Sequence, residues 1–291
     1  MWIFLALLSA FFTATTAAVS KIALRDNDAY LVGWVRCVMS LPILLSLLFF
    51  IKIPHLDPVF FYTMLFLLPL ELVAYLLYLK ALKLSPLSLT IPFMALTPVF
   101  MILTSRLILG EHILPMGIAG ILLVFIGAYI LNLKMHNYSL LGPIRSIMEE
   151  RGSVYMIIVA FIYSLTAVLG KLAIGYSSPM FIIAVYFPVI TILLTPIMII
   201  RFRKGKANLN NLARQKILFI SLGVLFSITV LVHFLALNMA SAAYMIALKR
   251  LSTVFGIVYG WLLFKERHVI SRLLGAGVMV LGVILISLAQ Q

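Results

Sequence analysis

Apolar residues in this chain run in long unbroken blocks. Ten blocks of roughly 20 residues recur from end to end, each long enough to cross a ~30 Å hydrocarbon core as an α-helix. They cover residues 2–24, 30–51, 59–82, 87–107, 116–133, 153–174, 180–200, 217–239, 242–263 and 269–288. None has the period-two alternation of a barrel strand, and unpaired backbone amides are not tolerated in lipid. The pattern therefore predicts an all-α polytopic membrane protein of ten transmembrane helices, numbered here as spans 1 to 10. Composition agrees: 64% of residues are hydrophobic and 10% charged, against about 25% charged in an ordinary soluble domain.

The blocks are not independent. Residues 81–111 and 236–266 align without a gap, and rare residues carry the match: Val99-Phe100 falls on Val254-Phe255, Glu111 on Glu266, and Gly120 and Gly127 on Gly275 and Gly282. A second offset places Thr16-Ala17 and Lys21 on Thr166-Ala167 and Lys171. The chain reads as two homologous halves, 1–133 and 153–291, joined by a linker at 134–152. Five spans per half is an odd number, so the halves must be inverted relative to each other.

Span 1 is long and lacks a preceding basic residue, and Lys21 has a repeat partner, so it reads as a retained helix rather than a signal peptide. Cys37 is the single cysteine and reads as core. The net charge of +14 marks topology rather than nucleic-acid binding. Loops after odd-numbered spans hold the basic residues, among them Arg25, Arg145, Arg201, Arg203, Lys204 and Arg267, whereas the opposite face has Lys52 and Arg106. By the positive-inside rule both termini lie outside a cytoplasmic (plasma) membrane.

Within the linker, residues 141–150 fit either a short amphipathic surface helix starting near Pro143 or a plain connection. Prolines 42, 69, 92, 98, 188 and 196 fall inside spans. Pro92 and Pro98 share span 4, as kinks or as part of a gate. The paired glycines read as close-packing points between helices.

Charges inside spans carry the functional signal, because each costs about 2.5–3.5 kcal/mol to insert and so faces a cavity or a partner. Lys249 and Arg250 are the deepest, about 10 Å along span 9 at 1.5 Å per residue. Two roles are open to them: pairing with protein acids or carbonyls, or holding a substrate's acidic group with a point charge and a planar fork. Of eight acids only Glu71 lies deep in a span, which favours the substrate-facing role. Glu71 itself reads as a salt bridge to Arg36 or as a protonatable coupling site, the former preferred. Lys21 and Lys171 near the ends of spans 1 and 6 are placed to snorkel; their equivalence across the repeat keeps a gate or binding role open. His233, Tyr78 and Tyr244 add polar tips to apolar walls, as a small-molecule pocket would. No metal site, cofactor loop or carboxylate cluster for catalysis is present, so an enzyme such as a membrane-embedded transferase is disfavoured.

The run Leu96-Thr97-Pro98-Val99-Phe100, followed by Leu109-Gly110-Glu111, resembles the signature of the EamA domain of the drug/metabolite transporter superfamily. The resemblance covers nearly the whole chain as two tandem EamA-like repeats, with Arg36 where that family often has an arginine. It implies a central cavity between the halves and alternating access for small metabolites. Within the superfamily, plastid sugar-phosphate translocators carry a Lys-Arg pair in the ninth helix, which Lys249-Arg250 resembles. They also have a fourth-helix lysine where this chain has Met94, a departure that argues against a phosphate. The glutamate of the first helix on which the superfamily's small multidrug exporters depend is missing here, arguing against organic cations.

The expectation is a secondary transporter for a small anionic or zwitterionic metabolite, working between lipid on the outside and substrate within, with a sugar-phosphate or nucleotide-sugar antiporter as the alternative. Nothing in the sequence selects a monomer over a dimer.

Overall fold

The computed structural model describes residues 1–84, 91–132, 151–205, 214–264 and 273–290. All regular structure among them is helical: α1 (Trp2–Ala23), α2 (Ala29–Ser46), α3 (Pro58–Leu84), α4 (Leu96–Leu109), α5 (Pro115–Asn132), α6 (Arg151–Gly175), α7 (Pro179–Arg203), α8 (Lys216–Met239), α9a (Ala242–Lys249), α9b (Ser252–Phe264) and α10 (Leu273–Ala289). Counting α9a and α9b as one broken helix, these are the ten helices the apolar blocks predict. Seven are long and apolar enough to cross a membrane, and three apolar helices are shorter. Residues 141–150 lie outside the described residues.

Packing follows the repeat. α1, the first helix of its half, packs on α8 and α9 of the other half, while its equivalent α6 packs on α3 and α4. α5 packs on α10 and α2 on α7, each pair being self-equivalent. The glycines make this explicit. A Cβ added to Gly120 would lie 2.7 Å from the Gly282 carbonyl oxygen, and one on Gly127 would lie 2.7 Å from that of Gly275. Since Gly120 corresponds to Gly275 and Gly127 to Gly282, each glycine meets the counterpart of the other, which happens only when two equivalent helices cross antiparallel. The halves are therefore inverted, and only glycine permits backbones this close.

The outer surface is apolar, as a bilayer requires: Phe61 and Leu65 on α3 and Leu103 and Leu107 on α4 are all more than half exposed. The polar side chains turn inward or sit at helix ends. Asp28 caps α2 by accepting from the Tyr30 amide at 3.1 Å and also takes the Arg201 fork at 2.6 and 3.1 Å. Trp34 donates to Thr195 Oγ1 at 3.0 Å, tying α2 to α7.

Helices pass through Pro42, Pro69, Pro188 and Pro196 without ending. The described part of span 4 is not α-helical throughout. A 3-10 turn over Ile91–Ala95 precedes α4, with Pro92 inside the turn and Pro98 in the first turn of α4. An α-helical Pro98 excludes the carbonyl of residue 94, and that Met94 oxygen instead accepts from Thr97 Oγ1 at 2.8 Å.

Candidate functional site

Span 9 is also broken, and at the same register. α9a stops at Lys249 and α9b begins at Ser252. Between them the chain tightens into three-residue turns: the Arg250 amide donates to Ala247 O at 3.1 Å and the Leu251 amide to Leu248 O at 3.0 Å. The repeat alignment puts Arg250 opposite Ala95, where the 3-10 turn gives way to α4. Position 253 corresponds to Pro98 and holds a threonine, whose hydroxyl donates to the Arg250 carbonyl at 2.7 Å. Proline breaks one helix and a side-chain hydroxyl attends the break in the other.

The two breaks border one cavity of about 320 Å³, walled by α2, α3, α4 and α6 to α9. Arg36 enters from α2, Glu71 and Tyr75 from α3, Tyr163 and Thr166 from α6, Tyr186 from α7 and His233 from α8, with Lys249 and Arg250 at the broken helix. Met94 and Thr97 face it from the other break, and Phe187, Phe226, Phe234 and Leu237 supply apolar wall. Both repeats contribute, as the inverted architecture demands.

Each cation in the cavity is differently held. Lys249 Nζ lies 3.3 Å from His233 Nδ1; with the ammonium donating, Nδ1 accepts and the ring proton sits on Nε2. The Arg36 guanidinium lies 4.4 Å over the Phe226 ring, a cation–π contact. Its Nε and that of Arg250 are buried with no hydrogen-bond partner. The expected Arg36–Glu71 salt bridge does not form among the described residues. Glu71 lies instead beside the Thr166 and Tyr186 hydroxyls, while Arg36 is drawn to the aromatic ring across α8.

Of the other residues singled out by sequence, Tyr78 lies one turn beyond Tyr75, packed with the Ala81, Phe93, Met156 and Val159 cluster and within electrostatic reach of Arg36 and Arg250. Tyr244 lies outside the cavity lining. Its hydroxyl fills the space over Gly117 of α5, 1.9 Å from where a Cβ would be. Lys171 also lies outside the lining: it pairs with Glu111 and donates to the Ala240 carbonyl. Lys21 sits in the last turn of α1, and Glu266, the repeat counterpart of Glu111, is outside the described residues.

Glu111 is the residue whose position sequence reasoning left unused. Gly110 ends α4 in the left-handed region (φ 67°), and the Glu111 amide donates back to Ser105 O at 3.3 Å, a Schellman closure that favours glycine at this position. The chain reversal delivers the Glu111 carboxylate to the start of α9a, where it accepts from Ser241 Oγ at 2.9 Å and from the Ala242 amide at 3.1 Å. The Leu-Gly-Glu motif was the available signal. Tyr186 and Thr166 were likewise not assigned to the site, because one hydroxyl in an apolar run carries no direction.

The family model for the EamA-like transporter family matches residues 1–133 and 150–288. The chain belongs to the EamA-like transporter family. That family is one of transporters, not enzymes, so this EamA-like protein is a multi-pass membrane transporter with a small-molecule substrate. A solved crystal structure has the same fold, with a TM-score of 0.70 at 15% sequence identity, over 99% of this chain and 95% of that one. A search of curated proteins gives no match.

Proposed function

We propose that this EamA-like transporter moves a small anionic or zwitterionic metabolite, amino-acid-like or an organic acid, across the plasma membrane. The observation that carries the reading is the charge content of the cavity: Arg36, Lys249 and Arg250 face it together with one carboxylate, Glu71. A substrate carboxylate would meet the Lys249 ammonium and the Arg250 fork, and charge-assisted bonds of this kind are roughly twice as strong as neutral ones. The aromatic wall of Phe187, Phe226 and Phe234 suits an apolar body on that acid, and Glu71 with its hydroxyl neighbours suits an ammonium group. Met94 faces the same space as a neutral side chain, which favours a carboxylate over the doubly charged phosphate of a sugar-phosphate antiporter. Alternating access follows from rocking the inverted halves about this central site.

The test is a thermal-shift screen of the purified protein against organic acids, amino acids, phosphorylated sugars and organic cations, followed by uptake into proteoliposomes. Stabilisation confined to carboxylates, with transport lost in Lys249→Gln and Arg250→Gln, is expected. Hits among cations, or transport of a hit unaffected by both substitutions, would refute the assignment. The charge bias of the loops supports both termini lying outside, so a reporter active only outside the cytoplasm, fused to the last residue, is expected to be functional and a cytoplasm-active one silent.

A further inference from the structure

Outside the cavity, a second link between charged groups of the two repeats lies on the face opposite the Asp28–Arg201 pair. Glu111 follows α4 of the first half; Lys171 in α6 and Ala240 to Ala242 at the junction of α8 and α9a belong to the second. The Glu111 carboxylate accepts from Ser241 Oγ, the Ala242 amide and the Lys171 ammonium, and that ammonium also donates to the Ala240 carbonyl. The ion-paired side chains are only 16% and 21% exposed. Glu111 also supplies the N-cap that α9a lacks from its own Ser241 side chain, with a negative charge at the positive end of the helix.

The cluster sits immediately beyond one end of the cavity. Gly170 lines the cavity and Lys171 is the next residue; Leu237 lines it and Ala240 lies one turn further along; Ile246 lines it and Ala242 lies one turn back. A substrate leaving on the face where α4, α6 and α8 end has to pass between the elements that this cluster ties together. The tie also holds α9a at one end while Lys249 sits at the other, about 10 Å away at 1.5 Å per residue, with the helix break just behind it. One short helix thus connects the tied end to the cation of the cavity.

We propose that the Glu111–Lys171–Ser241 clasp is the gate that closes the cavity on this face and opens in each transport cycle. The inference rests on the cavity being the transport site, but the test reads accessibility and needs no substrate. Ala167, a small cavity-lining residue of α6, is replaced by cysteine in a Cys37→Ser background, and a membrane-impermeant methanethiosulfonate is applied from the clasp side of sealed, oriented vesicles. Glu111→Ala and Lys171→Ala are each expected to speed labelling by about tenfold or more, whereas Asp28→Ala, which breaks the Arg201 pair on the opposite face, leaves the rate from this side unchanged. In the converse experiment Glu111→Cys with Ser241→Cys, joined by a short bis-thiosulfonate, should slow labelling by a similar factor and recover on reduction; this arm stands if the alanine variants fail to fold. Equal labelling rates with the clasp intact, removed and cross-linked would overturn the gate. Failure of every candidate metabolite to be transported, with the labelling differences intact, would sink the substrate assignment and leave the gate standing.

Discussion

Gly120 of α5 and Gly282 of α10 meet backbone to backbone: a methyl group on either would lie within 2.7 Å of the other's carbonyl oxygen. Neither helix can yield without separating the two halves, since Gly127 and Gly275 repeat the contact two turns away. Gly120→Val and Gly282→Val are expected to lower stability by about 1–3 kcal/mol each, the usual cost of overpacking. The loss would be seen as a fall in the melting temperature of the detergent-purified protein. Gly256→Ala, within α9b where an added Cβ meets nothing within 4 Å, should not lower it and is expected to raise it slightly, since alanine favours a helix interior over glycine by about 0.5–1 kcal/mol.

Lys249 and His233 offer a sign test. Replacing His233 by leucine leaves a buried ammonium without its acceptor, which costs about 1–3 kcal/mol. Adding Lys249→Met to His233→Leu removes the stranded charge. The double variant should therefore melt higher than His233→Leu alone, and a double-mutant cycle measures the coupling. A double variant that melts lower than either single one would mean that the 3.3 Å contact contributes nothing.

Asp28 has two tasks that substitutions can separate. Asparagine keeps a capping oxygen for the Tyr30 amide but loses the charge that faces Arg201; alanine loses both. Loss of the cap alone costs about 1 kcal/mol, so melting temperatures should fall in the order wild type, Asp28→Asn, Asp28→Ala. Arg201→Lys should resemble Asp28→Asn, because a lysine cannot reproduce the two-point contact.

Gly110 aims Glu111. With φ at 67° and open space around it, Gly110→Ala meets backbone strain and no clash, for a cost of about 1 kcal/mol. Asparagine, which tolerates the left-handed region better, should cost less. If Glu111 acts as the gate, Gly110→Ala should also raise the labelling rate at Ala167→Cys, by less than Glu111→Ala does.

Much of the architecture was legible in the sequence because its physics is one-dimensional. Hydrocarbon thickness sets the length of an apolar block, and backbone satisfaction within lipid makes each block a helix. A gapless repeat with an odd number of spans per half then leaves inversion as the consequence. The same cost of burying charge marked Arg36, Glu71 and Lys249-Arg250, and the fold brings them, with His233, to one cavity. One reading differs in detail: Arg36 and Glu71 form no salt bridge, Glu71 lying beside the Thr166 and Tyr186 hydroxyls and Arg36 over the Phe226 ring.

What the sequence determined by itself was the number of helices, their common scaffold and the kinds of charge placed inside the membrane, since each is a property of composition along the chain. Partnership was decided only by tertiary structure. That Lys171 meets Glu111 from sixty residues away, that Tyr244 turns from the cavity to cover Gly117, and that α9 breaks beside its two cations all depend on how helices rotate about their axes. An apolar run presents nearly the same hydrophobicity on every face, and so leaves that rotation to packing.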